Sequence, residues 1–250
     1  PRINAGGRVG KCSHGANLLL NNDPKESFRI ASELDQYNND RKKIEKELLN
    51  IALNTVVDKI NDPVLILEGK NWHEGIIGII ASRIKDKFNK PTIIISFNNQ
   101  IGKASARSVV GFDIGTAILS AIQEGILTKG GGHKMAGGFS IKKENMEKFE
   151  KFIFKKFDNL IRNKIRNDNL YLDSIISHSA LNYEFYKKID KLSPFGSGNP
   201  EPRFVLENLK VIRSTIVGNK HVKSILVAKD GSTIKSISFN SHDADLGQFL

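Results

Sequence analysis

Between Val64 and Phe157 short apolar runs alternate with longer amphipathic stretches, and few folds accommodate that order. Val64–Leu67 and Pro91–Phe97 are continuous apolar runs bounded by turn residues, the signature of strands buried on both faces. Gly75–Phe88, between them, places Ile76, Ile77, Ile80 and Ile84 on one helical face. Gly102–Val109 reads as a third, more polar strand. Phe112–Ile126 reads as a helix with Asp113 near its start, and Phe139–Ile141 as a fourth strand. Glu144–Ile165 is predicted to be a basic amphipathic helix turning Met146, Phe149, Phe152, Ile153 and Phe157 inward. Strands alternating with helices predict an α/β layer fold of about a hundred residues.

The flanks have a different texture. Residues 1–23 contain Gly6, Gly7, Gly10 and Gly15 and read as loop. Pro24–Ile60 reads as one long helix, with Asp23 as its N-cap and Pro24 in its first turn. Leu34, Tyr37, Ile44, Leu48 and Ile51 form a narrow apolar stripe on it, as in helices that bridge two domains. After Asn167, Leu192–Pro202 is a turn-rich connector. Short β-type runs follow at Arg203–Glu207, Leu209–Val217, His221–Ala228 and Thr233–Phe239, with hairpin turns at Gly218-Asn219 and Asp230-Gly231. Four such strands fit before Leu250, one fewer than a five-stranded OB barrel needs.

The formal net charge of +11 points to an anionic partner, most simply nucleic acid. A generally basic composition, visible in the abundance of Lys, Asn and Ile, is the other source of such a surplus. Cys12 is the sole cysteine, so neither an internal disulfide nor a thiolate metal cluster can form. This usage fits a reducing, cytoplasmic setting. No apolar run approaches the roughly 20 residues of a membrane-spanning helix, and no membrane partner is expected. Because the chain opens at Pro1 in what reads as the middle of a motif, it is expected to be a segment of a longer protein.

Several clusters could hold a ligand. Gly130–Gly138 reads either as a glycine turn before a strand or as a backbone nest for phosphate oxygens, with His133 at its edge to donate a hydrogen bond. In Gly102–Ser108, alternation puts Ser105 and Arg107 on one strand face. Arg107 offers a planar fork suited to phosphate, and Ser105 and Ser108 add hydroxyls. A solvated edge strand is the alternative. Asn71–Gly75 precedes a helix start, where N–H groups attract anions; Trp72 reads better as a buried indole, and His73 is open. Asn4–Arg8 combines an amide, glycines and a guanidinium that could touch phosphate. His242–Asp245 has metal-ligand spacing without a wider ligand set. The chain thus offers groups that hold a substrate, and no evident arrangement for activating water.

The segments Pro1–Arg8, Trp72–Arg83, Ser105–Ser108 and Gly130–His133 fall in the order seen in DHH-family phosphoesterases, which the chain resembles over essentially its whole length. Leu192–Pro200 and the strands after it resemble the entry to the OB domain of the bacterial RecJ family. That resemblance implies part of a 5′→3′ exonuclease for single-stranded DNA, acting in DNA repair and recombination, with single-strand-binding protein as a further candidate partner. It also implies Mn²⁺ or Mg²⁺ ions held by an N-terminal domain through ligands that include an Asp-His-His triplet, which is absent here. The implied organisation is a catalytic-domain tail at 1–23, a linking helix at 24–61, a DHH-associated substrate-binding domain at 62–166 and a truncated OB domain at 167–250. By the same resemblance Asn4, Arg8, Ser105, Arg107, Ser108, Gly131, Gly132 and His133 contact the strand and its phosphates. Ala106 stands where the family more commonly has glycine. Residues 203–250 hold seven Lys/Arg against four Asp/Glu but few aromatics, which leaves base stacking there without obvious means. The chain alone is expected to bind single strands weakly and to cleave nothing. Rival readings are a DHH-family oligoribonuclease or cyclic-dinucleotide phosphodiesterase, which usually lack the C-terminal barrel, and a non-catalytic nucleic-acid-binding module.

Overall fold

The computed structural model describes residues 2–161, 170–196, 198–242, 244, 246 and 247. Two compact units divide the chain, residues 1–166 and residues 167–250.

In the first unit the glycine-rich start is helical rather than a loop. A 3-10 turn at Ile3–Ala5 leads into α1 (Gly6–Val9), and α2 (His14–Leu20) follows. At least one glycine here serves close packing: a Cβ on Gly10 would sit 2.6 Å from the Tyr37 ring. The long helix α3 spans Pro24–Lys59, with the Asp23 carboxylate accepting from the Lys25 N–H at 3.0 Å. It buries Ile30, Leu34, Leu48, Ala52 and Val56. Ile51, expected in the apolar stripe, is instead 52% exposed, because the buried face runs through Leu48, Ala52 and Val56. The same face buries Glu45, whose carboxylate pairs with Arg41 and Arg83.

A five-stranded mixed sheet organises the rest of this unit. Its strands are β1 (Leu65–Lys70), β2 (Thr92–Asn98), β3 (Ile101–Arg107), β4 (Lys129–His133) and β5 (Ala136–Lys142), in the order β1-β2-β3-β5-β4. Only β1 and β2 are parallel, joined through helix α4 (Glu74–Phe88). Ile94 faces a core made with Ile76, Ile80 and Ile84 of α4 and Leu48, Ala52 and Val56 of α3. Its neighbours Ile93 and Ile95 face the opposite core, with Ile118 of α5 (Ile114–Gln123) and Phe149 and Ile153 of α6 (Met146–Ile161). Both faces of β2 are therefore covered, which is why its sequence is continuously apolar. Asp113 caps α5 by accepting from the Thr116 N–H at 3.0 Å. A 3-10 turn at Lys143–Asn145 precedes α6, so the helix starts later than expected, and residues 162–165 of the expected helix lie outside the described residues.

The glycine run is the principal correction in this unit. The turn is confined to Lys134-Met135; the rest of Gly130–Gly138 is strand, where successive N–H groups alternate in direction rather than converge, and the segment forms most of the β4–β5 hairpin. It carries too few side chains to display a strand pattern. Packing requires the absence of a Cβ at some positions: one on Gly137 would overlap Ile118 of α5, and one on Gly132 would lie 2.6 Å from the Gly137 Cα.

In the second unit β6 (Ser174–Ile175) pairs in parallel with β7 (Phe204–Val205), all that forms of the expected Arg203–Glu207 strand. Between them lies an unexpected helix, α7 (Tyr183–Asp190). Strands β8 (Lys210–Val217), β9 (His221–Val227) and β10 (Thr233–Ser238) form an antiparallel meander, with positive φ at Gly218, Asn219 and Gly231 in its turns. Among the described residues the strands do not close into a barrel. Asp243 and Asp245 of the metal-like motif lie outside the described residues. No helix of the described residues is long and apolar enough to cross a membrane.

Candidate nucleic-acid interface

Within the first unit, α1, α2, the start of α4 and the end of β3 enclose a cleft of about 600 Å³. Four of the expected ligand residues line it: Asn4, Arg8, Ser105 and Arg107. Strand alternation aims Ser105 and Arg107 to the α4 side of the sheet, while Ala104 and Ala106 enter the opposite core. Arg107 is half-buried. Its Nε donates to Ser82 Oγ at 3.1 Å, and its Nη1 donates to Ser105 Oγ at 3.2 Å and to the Ala106 carbonyl at 2.8 Å. Among the described residues it has no carboxylate partner. Burial first, and the nearby Arg8 charge second, push its pKa below the ordinary guanidinium value. An anion in the cleft relieves the repulsion between the two arginines.

Two glycines of α4 that sequence reasoning passed over shape this cleft. A Cβ on Gly75 would overlap the Arg8 carbonyl oxygen and lie 2.8 Å from its carbonyl carbon, so glycine lets α1 dock on α4. The docking is reinforced by Arg8 Nη1 donating to the Gly75 carbonyl at 3.1 Å. A Cβ on Gly78 would stand 3.0 Å from Ser105 Oγ and 3.2 Å from Arg107 Nη2, so its absence makes room for both side chains. The signal was present as glycines at i and i+3 of a predicted helix, where glycine is otherwise unfavourable. The Asn71–Gly75 segment has a capping role: His73 Nδ1 accepts from the Gly75 N–H at 3.2 Å, and Trp72 packs over Gly69. Glu74, the one carboxylate lining the cleft among the described residues, pairs with Lys103 at 2.8 Å.

The remaining expected residues lie elsewhere. Ser108 is buried, and its hydroxyl donates to the Phe112 carbonyl at 2.6 Å, so it ties down the loop after β3 and does not face the cleft. Gly131, Gly132 and His133 are on the hairpin. The register puts Arg107, Ala136 and His133 in one row across β3, β5 and β4, and Ser105, Gly138 and Gly131 in the next row on the same face. Residues paired across strands share a face, so Arg107 and His133 lie on the same side, two strand spacings or about 10 Å apart. Gly132 belongs to the opposite, α5-facing side. A Cβ on Gly131 would meet nothing within 4 Å, so packing within this chain does not demand a glycine there. His133 Nδ1 accepts from the Met135 N–H at 3.3 Å, which places the proton of a neutral ring on the exposed Nε2 as a donor. The sheet face thus presents Arg107, Ser105, a histidine donor and a flat glycine floor, with Arg8 of α1 across the cleft from Arg107.

Residues 42–159 match the DHHA1 domain family and residues 172–248 the RecJ OB domain family. The single-stranded-DNA-specific exonuclease RecJ of Haemophilus influenzae is 32% identical over 96% of this chain and 44% of its own length. The protein of the same description from Bacillus subtilis is 30% identical over 99% of this chain and 32% of its own length. The chain therefore spans less than half the length of these curated relatives. The crystal structure of RecJ from Thermus thermophilus in complex with Mn²⁺ superposes with a TM-score of 0.77 at 26% identity, covering 98% of this chain and 35% of that one. A Mg²⁺ complex from the same organism gives a TM-score of 0.75 at 24% identity, covering 96% of this chain and 41% of that one.

Divalent metals are thus used in the family, but the donors among the described residues of this chain do not suit one. Among the described residues no group of three His, Cys, Asp or Glu comes together, and the cleft is dominated by two guanidinium groups. With a DHHA1 domain followed by a RecJ OB domain, and with RecJ proteins homologous to it over nearly its whole length, this chain belongs to the RecJ family.

Proposed function

We propose that this chain is the strand-gripping part of a metal-dependent 5′→3′ exonuclease for single-stranded DNA. Arg107 and Arg8 take phosphate oxygens through charge-assisted hydrogen bonds, with Ser105 and Asn4 beside them. His133 Nε2 donates to a neighbouring phosphate along the same sheet face, and the bare surface at Gly131 lets the strand lie close to the backbone. A divalent ion in such a hydrolysis would supply an activated water, and the two guanidinium groups of this cleft suit the phosphate rather than that ion. The observation that carries this reading is a half-buried Arg107 with no carboxylate partner among the described residues, in a cleft shared with Arg8. The RecJ OB match at residues 172–248 favours a polynucleotide substrate over the dinucleotides of the rival phosphodiesterase reading.

The test uses the purified 250-residue chain with labelled single-stranded and duplex oligonucleotides. Salt-sensitive binding to the single strand is expected, weakened about tenfold or more by Arg107→Ala, without strand cleavage in Mn²⁺ or Mg²⁺. Chelator-sensitive cleavage by this chain would overturn the placement of the hydrolytic groups. Equal binding by the Arg107→Ala chain would overturn the cleft as the phosphate site.

A further inference from the structure

Helix α7 of the second unit presents two aromatic rings to solvent in an arrangement that calls for a flat ligand. Tyr183 and Tyr186 are three residues apart and so lie on one side of the helix. They are 69% and 58% exposed, with ring centroids 6.1 Å apart and ring planes 19° from parallel. Lys187 holds its ammonium 4.7 Å from the Tyr183 centroid, and Asp190, four residues after Tyr186, lies on the same side of the helix. The helix is fixed in place: Phe185 packs edge-on against Phe204 of β7 at 5.1 Å, and Asn182 Oδ1 accepts from the Phe185 N–H at 3.0 Å. One face of α7 thus anchors the helix, while the other exposes near-parallel rings with the Lys187 ammonium beside one of them.

We infer that Tyr183 and Tyr186 form a base-stacking platform for single-stranded nucleic acid, with Lys187 placed to meet the adjoining phosphate. Burying a base against a ring removes apolar surface of both from water, and every base has a π-face, so such a platform is tolerant of sequence. The Lys187 ammonium favours a polyanion over an apolar protein surface, which would desolvate it without compensation. This assigns stacking to a helix outside the β8–β10 meander, the part of the second unit whose few aromatics left stacking unprovided. The inference rests on the single-strand reading proposed above.

The test measures binding of the full chain to fluorescein-labelled oligo-dT and to an abasic oligonucleotide of equal length. Tyr183→Ala/Tyr186→Ala should weaken oligo-dT binding by roughly tenfold or more, leave abasic binding unchanged and leave the salt dependence unchanged. Tyr183→Leu/Tyr186→Leu, which keeps apolar bulk but loses the flat face, should behave like the alanine pair. Tyr183→Trp/Tyr186→Trp should retain parental affinity. Oligo-dT affinity unchanged in the alanine or leucine pair, or an equal loss on the abasic strand, overturns the platform while leaving phosphate binding intact; so does a protein ligand that occupies these rings without competing with oligo-dT. Failure of the unsubstituted chain to bind either oligonucleotide overturns the single-strand reading and this inference with it.

Discussion

Gly78→Ala separates the cost of fold from the cost of function. Gly78 is in the interior of α4, where replacing glycine by alanine stabilises a helix by about 0.8–1.0 kcal/mol. Against that gain, the new Cβ would stand 3.0 Å from Ser105 Oγ and 3.2 Å from Arg107 Nη2. Both are ends of side chains that can move by a few tenths of an ångström, so no backbone rearrangement is needed. The guanidinium must tilt, which weakens its bonds to Ser82 and Ser105, worth about 0.5–1.5 kcal/mol each when fully lost. Partial loss roughly offsets the helical gain, and the expected net change lies between about 0 and +1 kcal/mol, or a rise of up to about 4 °C in Tm. The ligand experiences the same tilt differently. Displacing one charge-assisted phosphate contact costs about 1.5–3 kcal/mol, a roughly 10- to 100-fold loss in oligonucleotide affinity. Calorimetry and fluorescence anisotropy on the same preparation read both quantities. A chain that is as stable as the parent yet binds with parental affinity would refute the role given to the space beside Arg107. A fall in stability beyond about 1 kcal/mol would refute the claim that the side chains can yield.

Two further outcomes follow from the same geometry. Gly75→Ala should destabilise the first unit by about 1–3 kcal/mol, because its Cβ meets main-chain atoms of Arg8 that cannot swing away; a melt matching the parent would show that α1 does not dock there. In the second unit, hydrogen bonds from the Ser232 hydroxyl and backbone, then from His178, hold the Asp230 carboxyl at about 2. A depressed carboxylate stabilises the turn above the ordinary carboxylate range, and that contribution is lost as pH falls through about 2. Ser232→Ala should raise the Asp230 midpoint in a carboxyl NMR titration, and an unchanged midpoint would refute the assignment of the shift to that hydroxyl.

Much of the first unit is legible in the residues alone. The apolar runs at Val64–Leu67 and Pro91–Phe97 and the isoleucine face of α4 state strand, helix and strand through periodicity, because burial on one or two faces leaves a pattern in side chains. Ser105 and Arg107 are legible for the same reason, since alternation puts both on one face. The β4 strand was illegible: Gly130–Gly132 bears no side chain to pattern, and the segment is a strand through its pairing with β5 and its contact with α5. The helices in residues 1–23 were hidden likewise, with glycines that permit close approach mistaken for glycines that permit turns. Helix α7 escaped because its eight residues are too short to display a helical period.

Local order thus determined the alternating elements, the basic surplus and the chemical character of the Ser105–Arg107 face. Tertiary structure alone decided that Asn4 and Arg8 meet Arg107 across two glycines of α4, and that Ser108 turns inward to brace a loop. It also set His133 in the row of Arg107. Side-chain pattern records which face of an element is buried, whereas the partner on that face is set by packing between segments distant in the chain, which no local window contains.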